Sequence, residues 1–257
     1  AHVEAGLRTG DPRNPFPEEI NRRIISVLAG LHFAPTETSA RNLRREGIPA
    51  DRIQVTGNTV VDALRRMAPQ LKKVPSPLTP SPGGRLLLVT AHRRESFGAP
   101  LEGICLALVD LAEKFVDVEI AYPVHPNPRV VEVTNRLLRG RPRFHLLPPL
   151  DYLSFLRLVR EAHLVLTDSG GLQEEAPAFG KPVLVLRRVT ERPEGVRAGA
   201  ARIVVPERPD IVREASRLLA GDKEYRKMAL ARNPYGDGRA ARRIVAAIRD
   251  WDRKRVP

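Results

Sequence analysis

Cysteine is almost absent: Cys105 is the single one in 257 residues. A disulfide within the chain is therefore excluded, and a cytoplasmic location is expected. Long apolar runs are missing too. No stretch approaches the roughly 20 residues of a membrane helix, and none has the pattern of a signal peptide, so no membrane partner is expected. No His, Cys and Asp spacing points to a metal. No Gly-x-Ser-x-Gly elbow and no complete Walker loop occurs. Neither a metal nor a cofactor is expected.

Aromatic residues make up 5% of the chain, too few to build stacking platforms for nucleic acid. That matters because the formal net charge is +13, which by itself invites a nucleic-acid partner. The basic residues are mostly arginine, scattered over many segments without a long basic run, so no nucleic-acid partner is expected. Few Asn, Gln, Cys and Met beside much Pro and Arg fit a thermophile's surface. Some of the charge can still attract an anionic nucleotide.

What is present is a regular alternation of short apolar runs with amphipathic segments, the signature of α/β architecture around parallel sheets. Helices are predicted over Pro17 to Gly30, Thr38 to Glu46 and Thr59 to Met67, with strands at Leu31 to Ala34 and Arg52 to Thr56. Pro69 to Gly84 is dense in proline, serine and glycine and reads as a linker. Beyond it, strands are predicted at 85–90, 118–122, 144–147, 163–167 and 182–186. Leu101, Ile104, Cys105, Leu108, Leu111 and Phe115 recur at helical spacing. On that face Cys105 reads as a small buried hydrophobe rather than a nucleophile. The fold expected is two doubly wound Rossmann-like domains. Residues 1–69 form the C-terminal part of a first domain and 70–84 the linker. Residues 85–234 form a nucleotide-binding domain, and 235–257 a C-terminal helix that packs back on the first. The opening Ala1-His2-Val3-Glu4 looks like the end of a strand, and an N-terminal portion of the first domain is expected to be missing.

The most informative stretch is Leu166-Thr-Asp-Ser-Gly-Gly-Leu-Gln-Glu-Glu-Ala-Pro177. An apolar strand runs into Ser169, Gly170 and Gly171, and a helix follows. Such a junction suits a diphosphate, because free backbone N–H groups and the helix dipole favour an anion. Glu175, one turn on, cannot hold phosphate but can accept hydrogen bonds from ribose hydroxyls. The plain alternative is a strand-to-helix turn with a dipole-stabilising acid. Further polar clusters also end predicted strands. His92, after 85–90, is placed to donate to a diphosphate; otherwise it is a surface turn histidine. His125, in Pro123-Val-His-Pro-Asn-Pro128, sits in a rigid loop. Arg192, in Thr190-Glu-Arg-Pro-Glu-Gly195, is a fixed cationic fork suited to phosphate or carboxylate, or an ordinary surface arginine. Glu4 and Glu18 are the candidate acid and base, since two carboxyls facing one cleft can differ in pKa. The rival account of Glu18 is a helix N-terminal charge; that of Glu4 is a pairing with Arg8 or Arg13.

Together these clusters resemble the bacterial non-hydrolysing UDP-N-acetylglucosamine 2-epimerases. The motifs are His2-Val-Glu-Ala-Gly-Leu-Arg-Thr-Gly10, Pro17-Glu-Glu-Ile-Asn-Arg22, Pro35-Thr-Glu-Thr-Ser39 and Gly57-Asn-Thr-Val-Val-Asp62. They continue with His92-Arg-Arg-Glu-Ser96, Asp168 to Pro177, Thr190 to Glu194 and Asn233-Pro-Tyr-Gly-Asp-Gly238. The resemblance implies a glycosyltransferase-B type fold and interconversion of UDP-GlcNAc and UDP-ManNAc through a 2-acetamidoglucal intermediate. It implies that Glu4 and Glu18 are the acid/base carboxylates, with Glu4 also on the substrate, and that His92, counted with them as catalytic, contacts UDP. Ser169, Gly170 and Gly171 would hold the diphosphate, with Glu175 on the ribose and Arg192 nearby. Phe155 and the backbone of Leu150 would flank the uracil, and His125 is marked as a candidate allosteric contact. A UDP-sugar is the expected substrate and a homodimer the expected assembly. The family's Gly-Thr-Arg-Pro-Glu loop and a later catalytic Asp have no counterpart in these residues. An epimerase of a modified UDP-acetamido sugar and a UDP-sugar transferase of the same fold are the alternatives.

Overall fold

The computed structural model describes residues 1–253. In chain order the first elements are β1 (His2–Val3), α1 (Glu18–Leu28), β2 (His32–Ala34), α2 (Glu37–Arg45), β3 (Ile53–Val55) and α3 (Thr59–Met67). Then come β4 (Arg85–Thr90), α4 (Ala99–Lys114), β5 (Val118–Pro123), α5 (Pro128–Leu138), β6 (Phe144–Leu147) and α6 (Tyr152–Glu161). The last are β7 (Leu164–Thr167), α7 (Leu172–Ala178), β8 (Val183–Leu186), α8 (Pro193–Arg197), β9 (Ala201–Val204), α9 (Arg208–Ala220), α10 (Asp222–Ala229) and α11 (Ala240–Arg253). No helix among the described residues is long and apolar enough to cross a membrane.

The chain divides into two compact units. The larger, Ala68–Arg188 with Gly195–Arg232, holds a parallel six-stranded sheet in the order β6-β5-β4-β7-β8-β9. Renumbered within the unit this is 3-2-1-4-5-6, the doubly wound order whose direction reverses between β4 and β7. Each crossover is long enough for a helix, as parallel pairing requires. Alternation within β4 sends Leu87 and Val89 into one apolar core and Leu86 and Leu88 into another. Both faces of the sheet are covered, so the strand reads as an unbroken apolar run. In α4 the stripe Leu101, Ile104, Cys105, Leu108 and Leu111 is fully buried, and burial pushes the Cys105 thiol up to about 12. Each such Leu or Ile is worth roughly 1.5–3 kcal/mol relative to an exposed side chain.

Two features of this unit differ from expectation. The segment 69–84 is fastened to the unit rather than free. Leu71 is fully buried and its carbonyl accepts from Arg157 Nη1 at 3.2 Å, while Ser81 N donates to Glu119 Oε1 at 2.6 Å. The second is β9, an edge strand of four residues that bury only at their two ends. Its four residues are too few to show a periodic pattern.

The smaller unit combines Ala1–Met67 and Val189–Glu194 with residues 233–253. Its sheet is parallel, in the order β1-β2-β3. Residues 189–194, which the sequence places in the second domain, belong here for a local reason. Glu194 accepts from Thr36 Oγ1, and Tyr235 Oη donates to the Arg192 carbonyl at 3.3 Å. α2 opens on Thr36, whose hydroxyl accepts from Ser39 N, the usual N-cap. α11 packs on α3, and Asp62 of α3 accepts from the Ala240 and Ala241 amides at 3.0 and 2.9 Å.

Candidate active site

The topological switch point of the larger sheet places the ends of β4 and β7 side by side. Thr90 is in register with Thr167, their hydroxyls are 2.6 Å apart, and Asp168 N donates to the Thr90 carbonyl at 3.0 Å. His92 and Ser169 therefore leave adjacent strand ends together, where open α/β sheets bind their ligands. A cavity of about 240 Å³ opens there. Thr90, His92, His125, Leu150, Phe155, Ser169 and Glu175 line it, with Pro123, Pro126 and Pro149 among its walls. Residues at the ends of four strands, β4 to β7, with Phe155 of α6 and Glu175 of α7, thus share one pocket, mixing apolar surface with a few placed polar groups.

Asp168 organises the entrance. It is completely buried, and its Oδ2 accepts from His92 N and Arg93 N at 2.8 Å each and from Ser96 Oγ at 3.0 Å. This carboxylate fixes the backbone on which His92 stands. The His92 ring is half-buried and stacks on His125, with centroids 5.1 Å apart and planes 6° from parallel. Its pKa is lowered by burial, while Asp168 pulls it upward and His125 downward. His125 is exposed, and its Nδ1 accepts from Asn127 N at 3.1 Å. The neutral His125 ring consequently carries its proton on Nε2.

The glycine junction is not strained. Gly171 has φ −61° and ψ −43°, ordinary helical values, and a Cβ there would meet nothing closer than Glu175 Oε2 at 4.0 Å. What glycine supplies is open space beside the helix start. Ser169 N donates to Thr167 Oγ1 at 2.9 Å, so this amide is held inward. Glu175 is buried and accepts from Tyr152 Oη at 3.0 Å, which sets the orientation of its carboxylate. Phe155 is half-buried: one side packs on the second apolar core and another lines the pocket.

Glu4 and Glu18 belong to the smaller unit, each half-buried. Glu4 follows β1 with φ +59°, a conformation uncommon for a residue with a side chain and costing about 1 kcal/mol or more. The turn is pinned by Gly6, at φ +84°, where a Cβ would lie 2.1 Å from the Ser39 carbonyl oxygen. Glu4 contributes to the electrostatic surroundings of Arg22, together with Glu191, Arg192 and Glu19. Arg8 is committed to Glu46, at 2.7 and 2.8 Å. Glu18 and Glu19, adjacent in sequence, have different surroundings. Glu19 is fully buried and accepts from Thr9 N at 3.0 Å, Gly10 N at 3.3 Å and Arg23 Nη2 at 3.2 Å. It ties the 9–10 loop to α1. Glu18 occupies the first position of α1. Arg192 also lies in the smaller unit, nearly buried, with Nη1 2.6 Å from Glu191 Oε1. It is not among the residues lining the pocket of the larger unit.

Comparison with known proteins places this geometry. Residues 1–249 match the family profile described as UDP-N-acetylglucosamine 2-epimerase. The chain belongs to the UDP-N-acetylglucosamine 2-epimerase family. It is 51% identical over 257 residues to the Escherichia coli K12 UDP-N-acetylglucosamine 2-epimerase, covering 97% of this chain and 68% of that enzyme. The Bacillus subtilis enzyme is 47% identical over 253 residues, covering 96% of this chain and 65% of its own length. Among solved structures, the Neisseria meningitidis UDP-GlcNAc 2-epimerase bound to UDP-GlcNAc superimposes with a TM-score of 0.93 at 44% identity. That match covers 97% of this chain and 69% of the other. The expected fold class, α/β with doubly wound sheets of the glycosyltransferase-B type, stands.

Sequence reasoning gave no role to Thr90, Asp168 or Tyr152, and all three shape the larger unit's pocket. Asp168 lies inside the quoted motif, but a buried acid after a strand carries no mark of which backbone it will hold. Tyr152 follows the N-cap Asp151, whose carboxylate accepts from Ser154 N; the local pattern explains the helix and hides the contact to Glu175.

Proposed function

We propose that this chain catalyses reversible epimerisation at C2 of UDP-GlcNAc, giving UDP-ManNAc. The observation that carries the reading is the single pocket at the switch point that gathers His92, Leu150, Phe155, Ser169 and Glu175, in a chain of the epimerase family. Those groups match the parts of a UDP moiety. Leu150 and Phe155 offer apolar surface to the uracil. Glu175, oriented by Tyr152, accepts from the ribose hydroxyls. Ser169, Gly170, Gly171 and His92 take the diphosphate.

Glu4 and Glu18 carry the proton transfers. One carboxylate removes the C2 proton; the C2–H electrons form the C1–C2 double bond, and the C1–O bond breaks with its electrons on UDP. The neutral product is 2-acetamidoglucal. A carboxylic acid then returns a proton to C2 on the opposite face as UDP re-forms the bond to C1. No redox change occurs, so no cofactor is required. Two carboxylates are needed because a single group cannot both remove and deliver a proton on opposite faces without moving. Keeping UDP bound through the intermediate calls for the charge-assisted hydrogen bonds assigned to Ser169 and His92.

The test is proton NMR of UDP-GlcNAc with the protein in D2O. The expected result is UDP-ManNAc with deuterium at C2 and no requirement for an acceptor. Epimer formed with protium retained at C2 rules out this mechanism, and turnover only with an added acceptor sugar assigns the chain to the transferases.

A further inference from the structure

The two oxygens of Asp168 are in different situations. Oδ2 is saturated by three donors at 2.8–3.0 Å. Oδ1 is equally buried and, among the described residues, has no hydrogen-bond partner. A buried carboxylate oxygen left without a donor is unfavourable and calls for an explanation. Beside it lies the His92 ring, with Nδ1 3.6 Å away. That is beyond hydrogen-bond length, yet short enough that a small rotation closes it.

We propose that Asp168 is the positioning residue for His92: its Oδ1 holds the imidazole proton on Nδ1, leaves Nε2 to face the bound diphosphate, and closes to a hydrogen bond once the ring is protonated. The proposal rests on the nucleotide reading of the pocket and adds to it the residue that sets the imidazole. A neutral ring protonated on Nε2 would turn the Nδ1 lone pair toward the Oδ1 lone pairs, a repulsive arrangement. The other tautomer turns an N–H toward them. Stacking on His125 restrains rotation of the ring away from this edge.

Charge bookkeeping around the ring agrees. The groups that face His92 are Asp168 from the end of β7, His125 from the loop after β5, and Arg93 and Glu95 from its own loop. Without ligand, burial outweighs Asp168 and the ring stays neutral near pH 7. An arriving diphosphate adds negative charge and favours the imidazolium, which then donates from both nitrogens. Asp168 is already ionic and anchored, so the second donor meets a fixed acceptor. The same carboxylate therefore positions the backbone through Oδ2 and the ring through Oδ1.

The experiment is side-chain nitrogen NMR of the histidines in the whole chain, alone and with UDP as probe, for wild type, Asp168→Asn and Ser96→Ala. In the wild type, the shifts of neutral His92 should report an N–H at Nδ1, and UDP should raise its proton affinity. In Asp168→Asn the tautomer should switch to Nε2–H and proton affinity should fall about tenfold or more, the range for losing a nearby carboxylate. Ser96→Ala removes a donor from the same carboxylate but should leave the His92 tautomer unchanged. A wild-type His92 protonated on Nε2 overturns the proposal, and so do wild-type shifts in folded Asp168→Asn. If that variant does not fold, the wild-type shifts alone decide. Failure of UDP to bind sinks the nucleotide assignment, while the unliganded shifts still judge the Asp168–His92 pair.

Discussion

The two units solve the problem of presenting carboxylates in opposite ways. In the larger one, every acid at the switch point is already engaged. Asp168 holds three donors and Glu175 receives the Tyr152 hydroxyl, above a sheet covered on both faces. Such a site is organised before any ligand arrives, which suits recognition. In the smaller unit the strands are two or three residues long. Glu4 stands in a left-handed turn, and α1 exposes Val27 and Leu28 at 82% and 80%. Here Glu19 is tied into the Thr9 and Gly10 amides, while Glu4 and Glu18 are half-buried acids at a turn and a helix start. On the proposed assignment, the difference teaches that a binding carboxylate is recognised by its partners, whereas a proton-transferring one is recognised by what holds the backbone around it.

The sharpest way to break that comparison is the pair Glu18→Gln and Glu19→Gln. Glu18→Gln should lower turnover roughly a hundredfold or more while the melting temperature and UDP affinity stay near normal. Glu19→Gln should instead unfold more easily, because the amide serves the Thr9 and Gly10 donors poorly; the loss is about 1.5–3 kcal/mol. Turnover at the wild-type rate in Glu18→Gln returns that residue to a helix-charge role.

A smaller effect is expected from Ser169→Ala and Glu175→Ala. Each should weaken UDP binding by about ten- to a hundredfold, the range for a hydrogen bond involving a charged group, with a melting curve close to the wild type's. Calorimetry giving unchanged affinity in both would detach this pocket from the nucleotide.

Acid should weaken both units over one window. His2 in the smaller unit and His163 in the larger are each lowered to about 4, chiefly by burial. Unfolded, these rings bind protons at about 6.5. Between those values the unfolded chain holds more protons, so stability falls as pH drops from about 6.5 to about 4, by at most about 1.4 kcal/mol per pH unit for each ring. Denaturant titrations across this range should show the slope, and His2→Gln should flatten it; an unchanged slope removes His2 from the account.

The smallest effect belongs to Cys105→Ala. The thiol is buried in the α4 stripe with its pKa raised by burial, so turnover should be unaffected and stability should fall by about 1 kcal/mol for the lost packing. Inactivation of this variant would mean that the cysteine does chemistry.

Much of the architecture was legible because it is written locally. The α4 stripe and the apolar run of β4 depend on residues within a turn or two of one another. The edge strand β9 was missed because it buries only its two end residues, and the fastening of 69–84 because its anchors, Arg157 and Glu119, lie far along the chain. The site divides in the same way. His92, His125, Ser169 and Glu175 stood out as polar residues at predicted strand ends and loops, and Leu150 and Phe155 through the family resemblance. All six line the pocket.

By itself, then, the sequence determined the alternation of strands and helices, the family, and which chemical groups gather at the strand ends. These follow from short-range periodicity and from the motifs themselves. Only the tertiary structure decided their partners: Oδ2 of Asp168 on the backbone of residues 76 and 75 positions earlier, Tyr152 on Glu175, Glu19 rather than Glu18 on the 9–10 loop. The reason is physical. A carboxylate has the same local propensity whether it ends up buried under three donors or half-open at a helix start. Its surroundings are set when strands distant in sequence come into register.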